Sequence, residues 1–208
     1  VPLFYQQDIN ETTRLGVWKI EETEDFFLRA VPLQRHITHP HKRLQHLAGR
    51  YLLPFLFPDF PHEEIEIADT RKPFLPDEQY HFSISHCGNY AAAIVSRTKR
   101  VGVDIELITP KVERIKHKFL HRDELVFVHA HEDIQQIPLL TLLWSAKETM
   151  FKWWGRGEVD FSEVLRVHAF TFTTSGIIPA VFLKDALNVP LEIHYQMRDD
   201  LSLAWVMS

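Results

Sequence analysis

The chain has 208 residues, 45% of them hydrophobic and 25% charged, ordinary globular usage that sets it apart from disordered, fibrous and membrane-embedded chains. Lys and Arg number 23 against 28 Asp and Glu, a net charge of -5 that argues against nucleic acid as the partner. The one cysteine, Cys87, rules out an intrachain disulfide, and Val1 to Thr13 has no basic segment followed by an apolar one, so the expected setting is the reducing cytoplasm.

Leu15 to Ile20 reads as a strand, and Glu21 to Val31 and His41 to Leu53 have helical spacing, the second expected to end near Pro54. From Phe26 to Pro58 there is no Asp or Glu, while Arg29, Arg35, Lys42, Arg43 and Arg50 occur with four histidines. Such a run is either a solvated helix face or a basic surface suited to a small polyanion. Short strands follow at Ile65 to Ala68, Tyr80 to His86, Tyr90 to Ser96 and Val101 to Glu106, predicting a β-meander in the middle of the chain.

Beyond Pro110, Arg122 to Ala130 and Pro138 to Trp154 are helical in pattern, the latter stopping at Gly155. Strands are expected at Phe161 to Phe172, Ile177 to Leu183, Leu191 to Met197 and Leu201 to Met207. The order predicts an α+β protein of two halves, 1–106 and 107–208. The longest apolar stretch, Ile137 to Ala146, is too short to span a bilayer, and no membrane partner is expected.

Three clusters carry chemistry. In VGVDIE, side-chain alternation puts Asp104 and Glu106 on one face, about 7 Å apart by strand rise. Two carboxylates so placed either form the polar face of a half-buried strand or grip a hard divalent cation from one side, as magnesium is held. In WSAKETMFK, Trp144, Glu148 and Lys152 fall four apart on one helical side, where Glu148 and Lys152 either pair within the helix or serve a metal and an anion. In FSISHCGNY, His86 stands at the turn into the next strand, able to donate to a phosphate oxygen or merely to be a satisfied structural group. RKPF (Arg71 to Phe74) sets two cations beside a proline that fixes the backbone.

Other chemistries find no support. There is no P-loop, G-x-S-x-G or H-E-x-x-H, and His117 with His121 lacks the cysteines or carboxylates of a zinc site.

Taken together and in this order, KPF, FSISH, VGVDIE and WSAKETMFK resemble the signature set of the Sfp-type 4'-phosphopantetheinyl transferases, from about His41 to about Phe161. That resemblance implies two similar α+β lobes about a pseudo-twofold axis, with the active site in the cleft between them. It implies transfer of the phosphopantetheine arm of coenzyme A to a serine of an acyl or peptidyl carrier protein, releasing 3',5'-ADP. It assigns magnesium to Asp104, Glu106 and Glu148, and the pyrophosphate to Lys152. The 3'-phosphate of coenzyme A goes to His86 and the basic helix (Lys42, Arg43, Arg50, with His41 a further candidate), the adenine end to Lys72 and Pro73, and a polar contact to Ser85. Glu148 is the candidate base for the serine proton and, with Lys152, the expected catalytic pair. The family often has glycine before the Lys-Pro pair, where this chain has Arg71. A pseudo-twofold chain needs no second copy, so a monomer is expected. Two rival readings stay open, a non-catalytic carrier-binding module and a different magnesium-dependent enzyme acting on a nucleotide.

Overall fold

The computed structural model describes residues 3–33 and 36–208. Arg35 of the acid-free run, and Val1 and Pro2 of the segment read for a leader, lie outside the described residues. The backbone packs into two compact units, Val1–Val103 and Asp104–Ser208. No helix among the described residues is long and apolar enough to cross a membrane.

The first unit opens with β1 (Leu3–Asn10) and β2 (Thr13–Lys19), followed by the short α1 (Glu24–Leu28) and by α2 (Pro40–Leu56). After β3 (Glu66–Ile67) and β4 (Pro73–Phe74) come β5 (His81–Cys87) and β6 (Tyr90–Ser96). Four of these strands form an antiparallel sheet in the order β1-β2-β6-β5. Its core gathers Leu47, Leu52, Leu53 and Leu56 of α2 against Trp18, Ala91, Ala93 and Val95. Gly49 lets the helix approach so closely that a Cβ there would lie 2.5 Å from Ile84 Cγ2, and any larger residue would force helix and sheet apart.

Strand β7 (Val101–Leu107) contains the boundary between the units and is the first strand of a five-stranded sheet, order β7-β11-β10-β9-β8. The second unit continues with α3 (Lys116–Phe119), α4 (Arg122–His129) and α5 (Asp133–Trp154), then β8 (Leu165–Val167), β9 (Ser175–Lys184), β10 (Leu187–Arg198) and β11 (Leu201–Met207). Its separate core sets Leu139, Leu142, Leu143, Ala146 and Met150 of α5 against Ile178, Phe182, Ile193, Tyr195, Ala204 and Val206. Gly155 ends α5 at φ 69, the left-handed cap that glycine adopts at little cost.

Several elements depart from the sequence pattern. Helix α2 does not stop at Pro54 but carries it inside its last turn, where the missing N–H forfeits a single backbone bond and buried leucines on either side hold the turn. Pro138 likewise lies inside α5. The middle strands are no continuous meander, because β5 and β6 pair in the first sheet while β7 belongs to the second. Of Phe161 to Phe172 only β8 is strand: Asp160 Oδ1 accepts from the N–H of Ser162 and of Glu163 at 2.8 and 3.0 Å, which turns the chain instead. The segment Glu21 to Val31 yields a helix of five residues only.

Candidate active site

Strand β7 is not half-exposed. Val101 through Asp104 and on to Ile105 are all buried, with Asp104 2% exposed, so a carboxylate sits where alternation alone predicts a polar outer face. Burying such a charge is costly unless a cation or hydrogen bonds meet it. Helix α5 supplies the cation: Lys152 Nζ lies 2.7 Å from Asp104 Oδ1. The ammonium therefore reaches across to the strand, which the purely intrahelical alternative does not require. One turn and two turns before it on α5 come Glu148 and Trp144, and the Trp144 indole N–H donates to Glu106 Oε1 at 3.1 Å. Strand and helix thus bring Asp104, Glu106, Glu148 and Lys152 into one cluster.

The cluster is short of positive charge. Burial first, then the Asp104 charge, pushes Glu106 up to about 7; Glu148 adds to this, while the Trp144 hydrogen bond and Lys152 pull the other way. Glu148 is likewise pushed up to about 7 by burial and by Asp104, against Lys152. Lys152 is the cation that these two carboxyls feel among the described residues. Among the described residues no group of three or more His, Cys, Asp or Glu side chains is arranged to hold a metal ion. Magnesium does not need one, since it keeps several waters and takes one or two carboxylates together with phosphate oxygens. An open edge of hard oxygen donors in charge deficit fits that ion.

Next to Glu148 on α5, Lys147 makes a buried ion pair that sequence reasoning overlooked. Lys147 is 0% exposed and its Nζ meets Glu124 Oε2 at 2.7 Å, the Phe119 carbonyl at 2.7 Å and the Phe161 carbonyl at 2.9 Å. All three ammonium protons have acceptors. Glu124 in turn accepts from the N–H of His121 at 2.8 Å, closing a capping box on α4, and from the Val167 N–H at 2.8 Å. Burial pushes the Lys147 pKa down and the Glu124 charge opposes it. The available signal was a lysine inside an otherwise apolar helix, which demands a buried partner.

The remaining candidates stand on the first unit. The α2 N-terminus clasps the β5–β6 turn: His41 Nε2 is 2.9 Å from the Gly88 carbonyl, and Gln45 Nε2 donates to the same oxygen at 2.8 Å. His86 is exposed two residues before that turn, on the strand face shared with Ile84, which packs against Gly49 of α2. Ser85 is buried, and Ser83 Oγ accepts from the Val103 N–H at 3.1 Å, tying FSISH to the start of β7. On α2 Lys42 is exposed, Arg43 is committed to Glu24 at 2.7 Å and to the Ile37 carbonyl at 3.0 Å, and Arg50 is 5% exposed. The basic run is therefore not one solvated face.

Pro73 lies in β4, paired with Ile67. Beside it, burial and the Arg100 charge push Lys72 down to about 8. His81 is pushed down too, by burial first, with Arg100 and Lys72 adding to it and Glu78 opposing. Arg71 has φ 65, the left-handed region where a glycine carries no Cβ penalty, so the substituted residue strains a turn whose shape glycine suits.

Part of the chain is similar to curated relatives. Enterobactin synthase component D of Escherichia coli (strain K12) is 35% identical over 117 residues, 53% of this chain and 54% of that protein. The 4'-phosphopantetheinyl transferase gsp of Aneurinibacillus migulanus is 31% identical over 113 residues, 53% and 46% of the two chains. The 4'-phosphopantetheinyl transferase of Bacillus subtilis is 36% identical over 92 residues, 44% and 41%. The chain spans about half the length of the curated relatives it matches. The model of the 4'-phosphopantetheinyl transferase superfamily matches residues 100–206, from the strand that carries Asp104 through α5 to the last strand, and the chain belongs to that family.

Proposed function

We propose that this protein transfers the 4'-phosphopantetheine group of coenzyme A to a serine of an acyl or peptidyl carrier protein, with magnesium, releasing 3',5'-ADP. The observation that carries this reading is the meeting of Asp104 and Glu106 on β7 with Glu148 and Lys152 on α5, a set of hard oxygen donors with one ammonium among them. Asp104, Glu106 and Glu148 would hold the ion, whose chemistry is to neutralise the pyrophosphate as a Lewis acid. In the transfer, the serine oxygen bonds to the phosphorus that bears the pantetheine arm and the bond from that phosphorus to the 3',5'-ADP oxygen breaks. Lys152 places its ammonium where negative charge gathers on the departing phosphate. Glu148 takes the serine proton, directly or through a water.

By the family resemblance, Lys72 and Pro73 receive the adenine end, Ser85 a nearby polar contact, and His86 with the basic helix the 3'-phosphate. Of the three helix cations Lys42 is the exposed one, while Arg43 already serves Glu24 and Arg50 is interior, which favours Lys42 for that anion. Part of the same proposal, resting on the resemblance alone, is the pseudo-twofold pairing of two lobes with coenzyme A held between them, in a monomer.

Incubating candidate apo-carrier proteins with coenzyme A and magnesium, followed by mass spectrometry of the intact carriers, tests the reading. A gain of one phosphopantetheine on the carrier serine is expected. Coenzyme A cleavage without carrier labelling would instead indicate another nucleotide-directed enzyme, and carrier binding without transfer a non-catalytic module.

A further inference from the structure

We propose that Lys147 is a positioning residue for the acidic cluster: by holding the main chain at Phe119 and Phe161 it fixes the two rings that flank Trp144, and through the Trp144 indole it fixes the Glu106 carboxylate. The links are short and continuous. Lys147 Nζ donates to the Phe119 and Phe161 carbonyls at 2.7 and 2.9 Å. The Phe161 ring stacks on Trp144 at 5.7 Å and 22°, and the Phe119 ring meets it edge-on at 5.1 Å and 65°. Trp144 Nε1 then donates to Glu106 Oε1 at 3.1 Å.

Each link has a physical reason. Phe161 lies in a turn rather than a strand, so no sheet ladder fixes it, and the hydrogen bond at its carbonyl restrains the ring. An ammonium offers three donors from one compact atom, and here they reach the end of α3, the turn after α5 and Glu124 on α4. Glu124 anchors the lysine rather than the ligand, since its other contacts are the N–H groups of His121 and Val167. An indole packed by two rings is restrained in its hydrogen-bond direction, and a carboxylate held by it keeps one rotamer, as ligand-orienting partners do around metals. That Glu106 serves as a metal ligand belongs to the proposed function; the positioning itself does not depend on it.

The test is therefore made on metal-free protein. The five tryptophans give five indole N–H resonances, and Trp144→Phe identifies which belongs to Trp144. Lys147→Met leaves Glu124 buried without its ammonium and can fail to fold, so Lys147→Met/Glu124→Gln, which removes both charges, is measured beside it. The expected result is an upfield shift of the Trp144 N–H and about tenfold faster exchange with solvent, as for one lost charge-assisted hydrogen bond. A Trp144 signal and exchange rate unchanged from the parent, with only the melting temperature lowered, would overturn the proposal and leave Lys147 a core tie. Carrier labelling plays no part in the indole readout, so failure of the transferase reading would not be mistaken for failure of this one.

Discussion

The two units strain their charges in opposite senses. In the first, burial and then the Arg100 charge push Lys72 down to about 8. In the second, burial and then the Asp104 charge raise Glu106 and Glu148 to about 7, against the Lys152 ammonium. Perturbed groups of this kind cluster at functional sites, so each unit carries its own candidate for a charged ligand. The cores beneath the two regions are ordinary by comparison, each a sheet under one long helix.

The largest expected break comes from Glu148→Gln. It keeps the side-chain shape but removes the charge and the proton acceptor of the proposed mechanism, so carrier labelling should fall by about a thousandfold or more while the circular dichroism spectrum is retained. Unchanged turnover at saturating magnesium would contradict the role. Next comes Lys152→Ala, for which kcat should fall about a hundredfold, with a much smaller change in coenzyme A affinity. An effect confined to affinity would move Lys152 from the reacting phosphate to mere binding.

A smaller effect sharpens the acidic side of the comparison. A carboxyl whose pKa rises from 4.5 to about 7 on folding binds its proton more tightly in the folded chain. Its charge therefore does not oppose folding below pH 4.5 and opposes it fully only above about pH 7. Metal-free protein should lose melting temperature between about pH 5 and pH 8 relative to Glu106→Gln, and magnesium should raise it more at the upper end, where protons no longer compete. Equal magnesium stabilisation across that range would argue that the ion binds elsewhere.

The clarity of the sequence followed the number of constraints acting on each segment. Tyr90 to Ser96 and Leu201 to Met207 match β6 and β11 residue for residue, because both are apolar runs buried on both faces and bounded by turns. Strand β1 was invisible: its polar, half-exposed residues carry little apolar alternation, and its pairing with β2 is a tertiary fact. Residues 161–164 show why aromatic content misleads, since Phe161 packs on Trp144 from a turn that Asp160 ties. Asp104, Glu106, Glu148 and Lys152 could be named from motif and spacing. That Lys152 reaches Asp104, and that Trp144 holds Glu106, depends on how α5 lies on its sheet, which no local pattern encodes. Lys147 stood in plain view beside Glu148, but its partner, Glu124, is contributed by a different helix.

The basic side of the comparison gives the mildest effect and the most diagnostic sign. A lysine lowered from 10.5 to about 8 binds its proton less tightly in the folded state than in the unfolded one. Its charge therefore opposes folding below about pH 8, and that opposition is lost as pH climbs to 10.5. Lys72→Met keeps the buried stem and removes the charge, so it should raise the melting temperature near neutral pH by a few degrees at most, with the gain vanishing toward pH 10.5. The same change should weaken binding of 3',5'-ADP. A variant that is more stable and yet binds the nucleotide less well would mean that the buried charge of Lys72 is retained for the ligand. If stability rises while affinity is unchanged, the strained lysine belongs to the fold and the adenine end must be sought elsewhere.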